Sequence, residues 1–341
     1  MSTERPSVTV IVPCYNERDT IGLLLDALYG QTYPRERLQV VIADGMSEDG
    51  TREVIAAWQQ KHPDLRVRVV DNPRRIIPAG LNAALRAAQG EIIVRLDAHA
   101  VPAEDYVERC VCLLEDGLGD NVGGVWRIRP GGQGVIAQAI ALAAAHPLGV
   151  GDARYRHANP PPGPVDTVPF GAYHRALIER IGFYDETLLT NEDYEFNTRV
   201  RRHGGTVYLC PNIQAVYFAR PHLRALARQY ARYGYWKAQM LRRHPHSLRW
   251  RQALPPLFVL ALVGLPVLGW WWRPAWAVWG VQMILYGLAL LAVGLQQAWR
   301  HRRWGLVWAV PAALATMHLA WGGAFLWGLL YPAKTWQERT V

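Results

Sequence analysis

Three short polar stretches each follow an apolar run: Pro13-Cys14-Tyr15-Asn16-Glu17, Ala43-Asp44-Gly45 and Leu96-Asp97-Ala98-His99. A fourth, Asn191-Glu192-Asp193, stands where a helix would start. Carboxylates and imidazoles take up protons and bind cations near neutral pH, so these stretches are the first candidates for chemistry. A single Asp-Gly after a strand is explained by turn preference alone. Asn191 with its two acids also reads as a helix cap that complements the helix dipole. Three clusters on neighbouring strand ends need more than turn preference, because open parallel sheets bind ligands beyond the carboxyl ends of their strands. Arg74-Arg75 suits bidentate contact with a phosphate, and it equally suits a surface turn.

The elements that must position these groups are legible as an alternation. Run 7–13 is apolar and β-branched, 38–43 repeats the strand signal, 66–70 and 92–96 continue it, and helical patterns occupy 20–30, 51–61 and 78–89. Buried runs separated by amphipathic helices predict βαβ units, hence an α/β domain with a mainly parallel sheet. Four cysteines, Cys14, Cys110, Cys112 and Cys210, are too few and too unevenly spaced for a disulfide scaffold or a zinc site, which points to a reducing compartment. No basic-then-apolar leader opens the chain.

The 341 residues are 50% hydrophobic and 19% charged, which excludes a disordered chain, and their charge is segregated. Residues 1–195 hold 27 of the 28 acids and 19 of the 37 bases; residues 196–341 hold one acid, Glu338, and 18 bases. Between Ala253 and Trp299 the only charged residue is Arg273, and none lies between Gly305 and Ala333. The apolar segments near 253–272, 275–296 and 305–330 therefore predict a bundle of three transmembrane helices. Trp270, Trp271, Trp272, Trp276, Trp299 and Trp304 sit at segment ends, as an interfacial belt would. Arg242, Arg243, Arg249 and Arg251 precede the first span, while Arg300, Arg302 and Arg303 separate the second from the third. The positive-inside rule places the N-terminal domain and the 297–304 loop in the cytoplasm of a cell whose inner membrane holds the protein, and the C-terminus on the other side.

Read in order across residues 7–240, VTVIVPCYNE, VIADGMSEDGT, NPRRIIPAGLNAAL, IIVRLDAHA, VPFGAYHRALIERIGFYDE, NEDYEF and QYARY resemble the inverting family-2 glycosyltransferases with the GT-A fold. The DGMSEDGT and RLDAH variants look closest to membrane-anchored exopolysaccharide glycosyltransferases of the succinoglycan-biosynthesis type. The resemblance implies a Rossmann-like GT-A domain and transfer of a sugar from a nucleotide donor, with a UDP-sugar favoured if Asp44 accepts from a uracil N3–H. Pro13, Tyr15, Glu17, Asp44, Gly45, Arg75, Gly80, Asn82 and Asp97 then match nucleotide-sugar-binding positions, Gly80 and Asn82 by letting the nucleotide approach the backbone. Asp97 and His99 stand at the DxD motif and would hold Mg²⁺ or Mn²⁺; the histidine departs from the family pattern. Asp193 matches the general base and Glu192 its support, while Gly171, Gln229, Arg232 and Tyr233 match acceptor and diphosphate positions. Tyr233 replaces the Trp of the processive QxxRW motif, which favours transfer of a single hexose.

Residues 196–252 hold 12 Lys/Arg and no acid. Arg220, Arg224, Arg228 and Arg232, spaced by four beside Leu223, Leu226, Ala227 and Tyr230, predict a basic amphipathic helix on the membrane surface. Anionic headgroups would contribute about 1 kcal/mol per cation, and lipid is a better partner than nucleic acid next to membrane spans. A cytosolic donor and a membrane-bound catalyst imply a polyprenyl-diphosphate-linked saccharide as acceptor. A polyprenyl-phosphate glycosyl synthase and a catalytically silent membrane scaffold are the alternative readings. The expected division is a catalytic domain over 1–218, the basic region over 219–252, the spans within 253–333 and a tail over 334–341. Residues 131–149 fit either a buried helix or a second interfacial one, and the proline-rich 151–165 predicts a stiff loop near the acceptor entrance, ordering over bound donor.

Overall fold

The computed structural model describes residues 5–333; the expected tail over 334–341 lies outside them. The chain divides into two compact units, one running to Arg127 and resuming over Ala153–Tyr217, the other comprising Ile128–Asp152 and the chain from Phe218 on.

The first unit opens as the alternation predicts, with β1 (Val8–Cys14), α1 (Ile21–Tyr29), β2 (Leu38–Asp44), α2 (Thr51–Lys61), β3 (Arg66–Asp71), α3 (Ile77–Ala87) and β4 (Ile92–Arg95). In chain order there follow β5 (Val101–Pro102), α4 (Tyr106–Glu115), β6 (Asn121–Pro130), α5 (Gly134–Ala145) and α6 (Pro147–Val150), both of the second unit, and then β7 (Gly163–Pro164), β8 (Ala172–His174), α7 (Ala176–Ile181), α8 (Glu192–Arg202) and β9 (Val207–Ala219). The sheet order is β3-β2-β1-β4-β8-β6-β9-β5, with β7 paired to β9. β3-β2-β1-β4 are parallel. From β8 onward the registered pairings β4–β8, β6–β8, β9–β5 and β9–β7 are antiparallel, so the sheet is mixed.

Strand alternation sorts side chains onto two faces. Val8, Val10 and Val12 of β1 join a core with Ile21, Leu24, Leu25 and Leu28 of α1. Ile11 points the other way, into a core with Leu81, Ala84 and Leu85 of α3 and Phe196 and Val200 of α8. Both faces of β1, β2 and β4 are thus covered, which explains their unbroken apolar runs.

The second unit adds α9 (Leu223–Arg243), α10 (Trp250–Leu268), α11 (Pro274–His301) and α12 (Leu306–Leu330). The last three are long and apolar enough to cross a membrane. Leu254, Leu257, Leu260 and Val263 of α10, and Val281, Ile284, Leu285 and Leu288 of α11, are exposed, as lipid-facing side chains would be. At Gly234 of α9 a Cβ would lie 2.1 Å from the Trp321 carbonyl oxygen of α12, so only glycine lets the two helix backbones touch. α5, within the 131–149 segment, is built into this unit: Ala139, Ile140, Ala141 and Ala143 share a core with Leu306, Val310 and Leu314 of α12. Arg220 precedes α9 rather than joining its ridge, because Pro221 disfavours a helical residue before it. Arg224, Arg228 and Arg232 are exposed on the helix, with Leu226 and Tyr230 buried.

Candidate active site

The centre of the site is a residue that the motifs leave unassigned. After Ile92, Ile93 and Val94, all fully buried, β4 ends on Arg95, which is only 3% exposed. Its backbone N–H donates to the Gly171 carbonyl, 2.9 Å away. Its guanidinium meets three carboxylates: Nη2 lies 2.8 Å from Asp97 Oδ1 and 3.1 Å from Glu192 Oε1, and Nη1 pairs with Asp193 Oδ2. Burial opposes a charge on Arg95, yet the carboxylates of Asp193, Asp97 and Glu192 outweigh it and hold the guanidinium well above its ordinary pKa. The Phe170 ring lies 5.5 Å from the guanidinium carbon. Phe170 has a positive φ of 51°, and its carbonyl accepts a 2.6 Å hydrogen bond from the buried Tyr106 hydroxyl.

Glu192 and Asp193 open α8 behind Asn191, whose φ is 71°. The Asn191 side chain makes no capping hydrogen bond. The first-turn acids still sit favourably at the positive end of the helix dipole, but their side chains reach Arg95. Burial pushes the Asp193 carboxyl up to about 8; Arg95 pulls it down, and Glu192 and Asp97 add to the rise. With 23% of its side chain open, the group remains accessible to a reactant.

Asp97 and His99 leave the end of β4 together, 23% and 33% open at their side chains. His99 Nδ1 is 2.9 Å from Glu17 Oε1. An ionised carboxylate can only accept, so Nδ1 donates and the imidazole tautomer is set by Glu17. Among the described residues no three His, Cys, Asp or Glu side chains gather as a metal site. One carboxylate and one imidazole, both partly open, are donor types that suit a divalent cation. The three acids around the single Arg95 leave negative charge for such an ion to offset.

The other expected positions divide. Tyr15 is exposed beside Arg75, whose guanidinium lies 5.7 Å from the tyrosine ring and donates to Glu48 at 2.9 Å. Gly45 packs on Tyr15, where a Cβ would sit 3.1 Å from Cδ2, and Pro13 registers opposite Ala43 between β1 and β2. Asp44 is fully buried. Its oxygens accept from Arg52 Nε at 2.5 Å and from the Ser47 hydroxyl at 2.5 Å, so the open acceptor expected for a uracil N3–H is closed off. Arg52 also reaches Asp71, which makes a carboxylate-guanidinium-carboxylate chain.

Gly80 and Asn82 face the protein rather than a ligand. A Cβ on Gly80 would lie 2.9 Å from Asn72 Nδ2, so the close approach it permits is of α3 to its own loop. Asn82 donates to the Tyr184 carbonyl at 2.9 Å and to Glu186 at 2.7 Å, and accepts from the Tyr184 N–H at 2.9 Å. Gly171 is buried against Asn121, whose Oδ1 lies 2.2 Å from where a Cβ would be. Gln229, Arg232 and Tyr233 belong to α9 of the other unit, where Gln229 donates to the Tyr233 hydroxyl at 3.1 Å. The signal for Arg95 was a lone base ending an apolar strand, two residues before an acid.

A family model for glycosyl transferase family 2 matches residues 9–182. The chain is 31% identical over 330 residues to the succinoglycan biosynthesis protein ExoA of Rhizobium meliloti (strain 1021), covering 94% of both chains. It is 25% identical over 337 residues, 97% of this chain and 99% of the relative, to a Methanococcus voltae protein. That protein is named dolichyl N-acetyl-alpha-D-glucosaminyl phosphate 3-beta-D-2,3-diacetamido-2,3-dideoxy-beta-D-glucuronosyltransferase. Among solved structures, the mannosyltransferase PcManGT from Pyrobaculum calidifontis, in complex with GDP-Man and Mn²⁺, aligns with a TM-score of 0.58 at 28% identity. The alignment covers 93% of this chain and 88% of that one.

Proposed function

The chain belongs to glycosyl transferase family 2, and from that premise we propose that it transfers one hexose, with inversion, from a nucleotide sugar to a lipid-linked saccharide at a membrane. The observation that carries the reading is the convergence of Asp97, Glu192 and Asp193, from stretches almost a hundred residues apart, on the buried Arg95. A single displacement needs one base in line with the scissile bond and no covalent nucleophile. Asp193 takes the acceptor hydroxyl proton as that oxygen bonds to the anomeric carbon, and the bond from that carbon to the diphosphate breaks. Glu192 shares Arg95 with Asp193, and its negative charge beside the base helps raise the affinity of Asp193 for the proton. Asp97 and His99 would hold Mg²⁺ or Mn²⁺, which supplies charge neutralisation for the departing diphosphate. Tyr15 and Arg75 offer an aromatic face and a cation to the nucleotide.

The acceptor reading draws on the Methanococcus relative, whose name gives a lipid phosphate-linked sugar as acceptor, and on three helices able to span a membrane. Exposed Arg224, Arg228 and Arg232 favour anionic headgroups as a further partner.

Detergent-purified protein, offered UDP- and GDP-sugars together with polyprenyl phosphate or polyprenyl-diphosphate saccharides, tests the reading. The expected product is a lipid-linked saccharide longer by one sugar, with the anomeric configuration of the donor inverted in its NMR spectrum. Transfer only to bare polyprenyl phosphate would replace the acceptor assignment. Retention of configuration would remove the single-displacement mechanism.

A further inference from the structure

Arg95 is buried, yet a buried ion cluster is a poor way to gain stability, since the desolvation of the charges consumes most of their attraction. Its placement suits a different task. The arginine is held away from its acids as well: the backbone N–H by Gly171, the guanidinium face by Phe170, and Phe170 in turn by the hydroxyl of Tyr106, while the buried Nε has no hydrogen-bond partner among the described residues and leaves the work to the two Nη groups. The acids it grips are the more open members, at 23%, 10% and 23% side-chain exposure for Asp97, Glu192 and Asp193. The two ends of the fork are divided between them. Nη1 takes Asp193, and Nη2 takes Asp97 together with Glu192. A planar guanidinium holds its donors at set angles, which an ammonium cannot do.

We propose that Arg95 is the positioning residue of this transferase, aiming Asp193 at the acceptor hydroxyl and setting its separation from Asp97 on the donor side. The inference rests on the reading of Asp193 as the base. It adds that the base is aligned by a group that touches neither sugar nor nucleotide.

The test is a cycle of Arg95→Lys, Asp193→Asn and the double variant, with kcat and KM measured for donor and acceptor. One equivalent of UDP or GDP, titrated calorimetrically with Mn²⁺ present, reports that each variant is folded. Arg95→Lys keeps the charge and loses the fork, so kcat falls about 100-fold, the scale of a small misalignment of reacting groups. Because Arg95 acts through Asp193, the double variant is within about threefold of Asp193→Asn alone, as expected for residues that work as a unit. Losses that multiply, or an Arg95→Lys enzyme within threefold of wild type beside an inactive Asp193→Asn, overturn the positioning role alone. Wild-type turnover by Asp193→Asn sinks the base assignment and this inference with it. If Arg95→Lys fails to fold, Phe170→Leu removes the ring under the guanidinium while leaving all four side chains of the cluster. It should lower kcat severalfold with unchanged nucleotide stoichiometry, and an unchanged kcat overturns the proposal.

Discussion

Asp193 carries the proposed chemistry, and its surroundings make the consequences of changing it specific. Asp193→Asn keeps the volume and removes the proton acceptor. Transfer should fall by about 100-fold or more, the range general base catalysis supplies, while UDP or GDP binding measured by calorimetry stays near normal. Since the carboxyl is pushed up to about 8, it is protonated over a wider range than an ordinary aspartate, and a protonated base is inactive. The sign follows: kcat/KM rises with pH through that region and drops toward tenfold per unit on the acid side. A profile of the wild type that is flat from pH 6 to 9 contradicts this role. Asp97→Ala should abolish the Mn²⁺ dependence of nucleotide binding, and chelation of the wild-type protein should weaken binding to the same level. Asp97, His99 and the acids of α8 were legible because a motif marks each. Arg95 was not, because a charged residue at a strand end has no meaning until its partners, Asp97 nearby and Glu192 and Asp193 far along the chain, are known to meet there.

Asn82 makes the corresponding argument for the elements. It sits on α3 and ties down the chain ahead of α8 through three hydrogen bonds to Tyr184 and Glu186. Replacing it with alanine leaves the buried amide and carbonyl of Tyr184 without partners, at about 1–3 kcal/mol for such a loss. Asn82→Ala should therefore lower the melting temperature and speed amide exchange at Tyr184. A nucleotide-contacting role predicts the reverse pattern, a raised donor KM at unchanged stability. The parallel strands were readable from their length and β-branched content, since three buried runs and one alternating run between helices allow little else. The antiparallel half was not. β8 is three residues, Ala172–His174, and carries no strand pattern of its own, yet it takes the edge of β4 and brings Gly171 against Arg95. Backbone pairing decides its place, and residue type does not encode that.

At the scale of the molecule, charge and aromatic placement bear on orientation. α11 has 28 residues, so it is about 42 Å long at 1.5 Å per residue, close to the full thickness of a bilayer with its headgroup layers. Trp270 and Trp271, 81% and 79% exposed, stand just before it, and Trp299 and Trp304, 80% and 75% exposed, lie at its other end. Arg300, Arg302 and Arg303 flank the second pair, against Arg273 alone beside the first. A bias of bases in short loops marks the cytoplasmic side. We therefore predict that the 269–273 turn is external and that the N-terminal unit is cytoplasmic. Cys112, exposed on that unit, is a native reporter. A membrane-impermeant maleimide applied to intact spheroplasts should leave Cys112 unmodified and label it once the membrane is opened. The same reagent should label a Trp271→Cys variant in intact spheroplasts. Labelling of Cys112 before lysis, with Trp271→Cys protected, would invert the topology and remove the donor's access to the site from the cytosol.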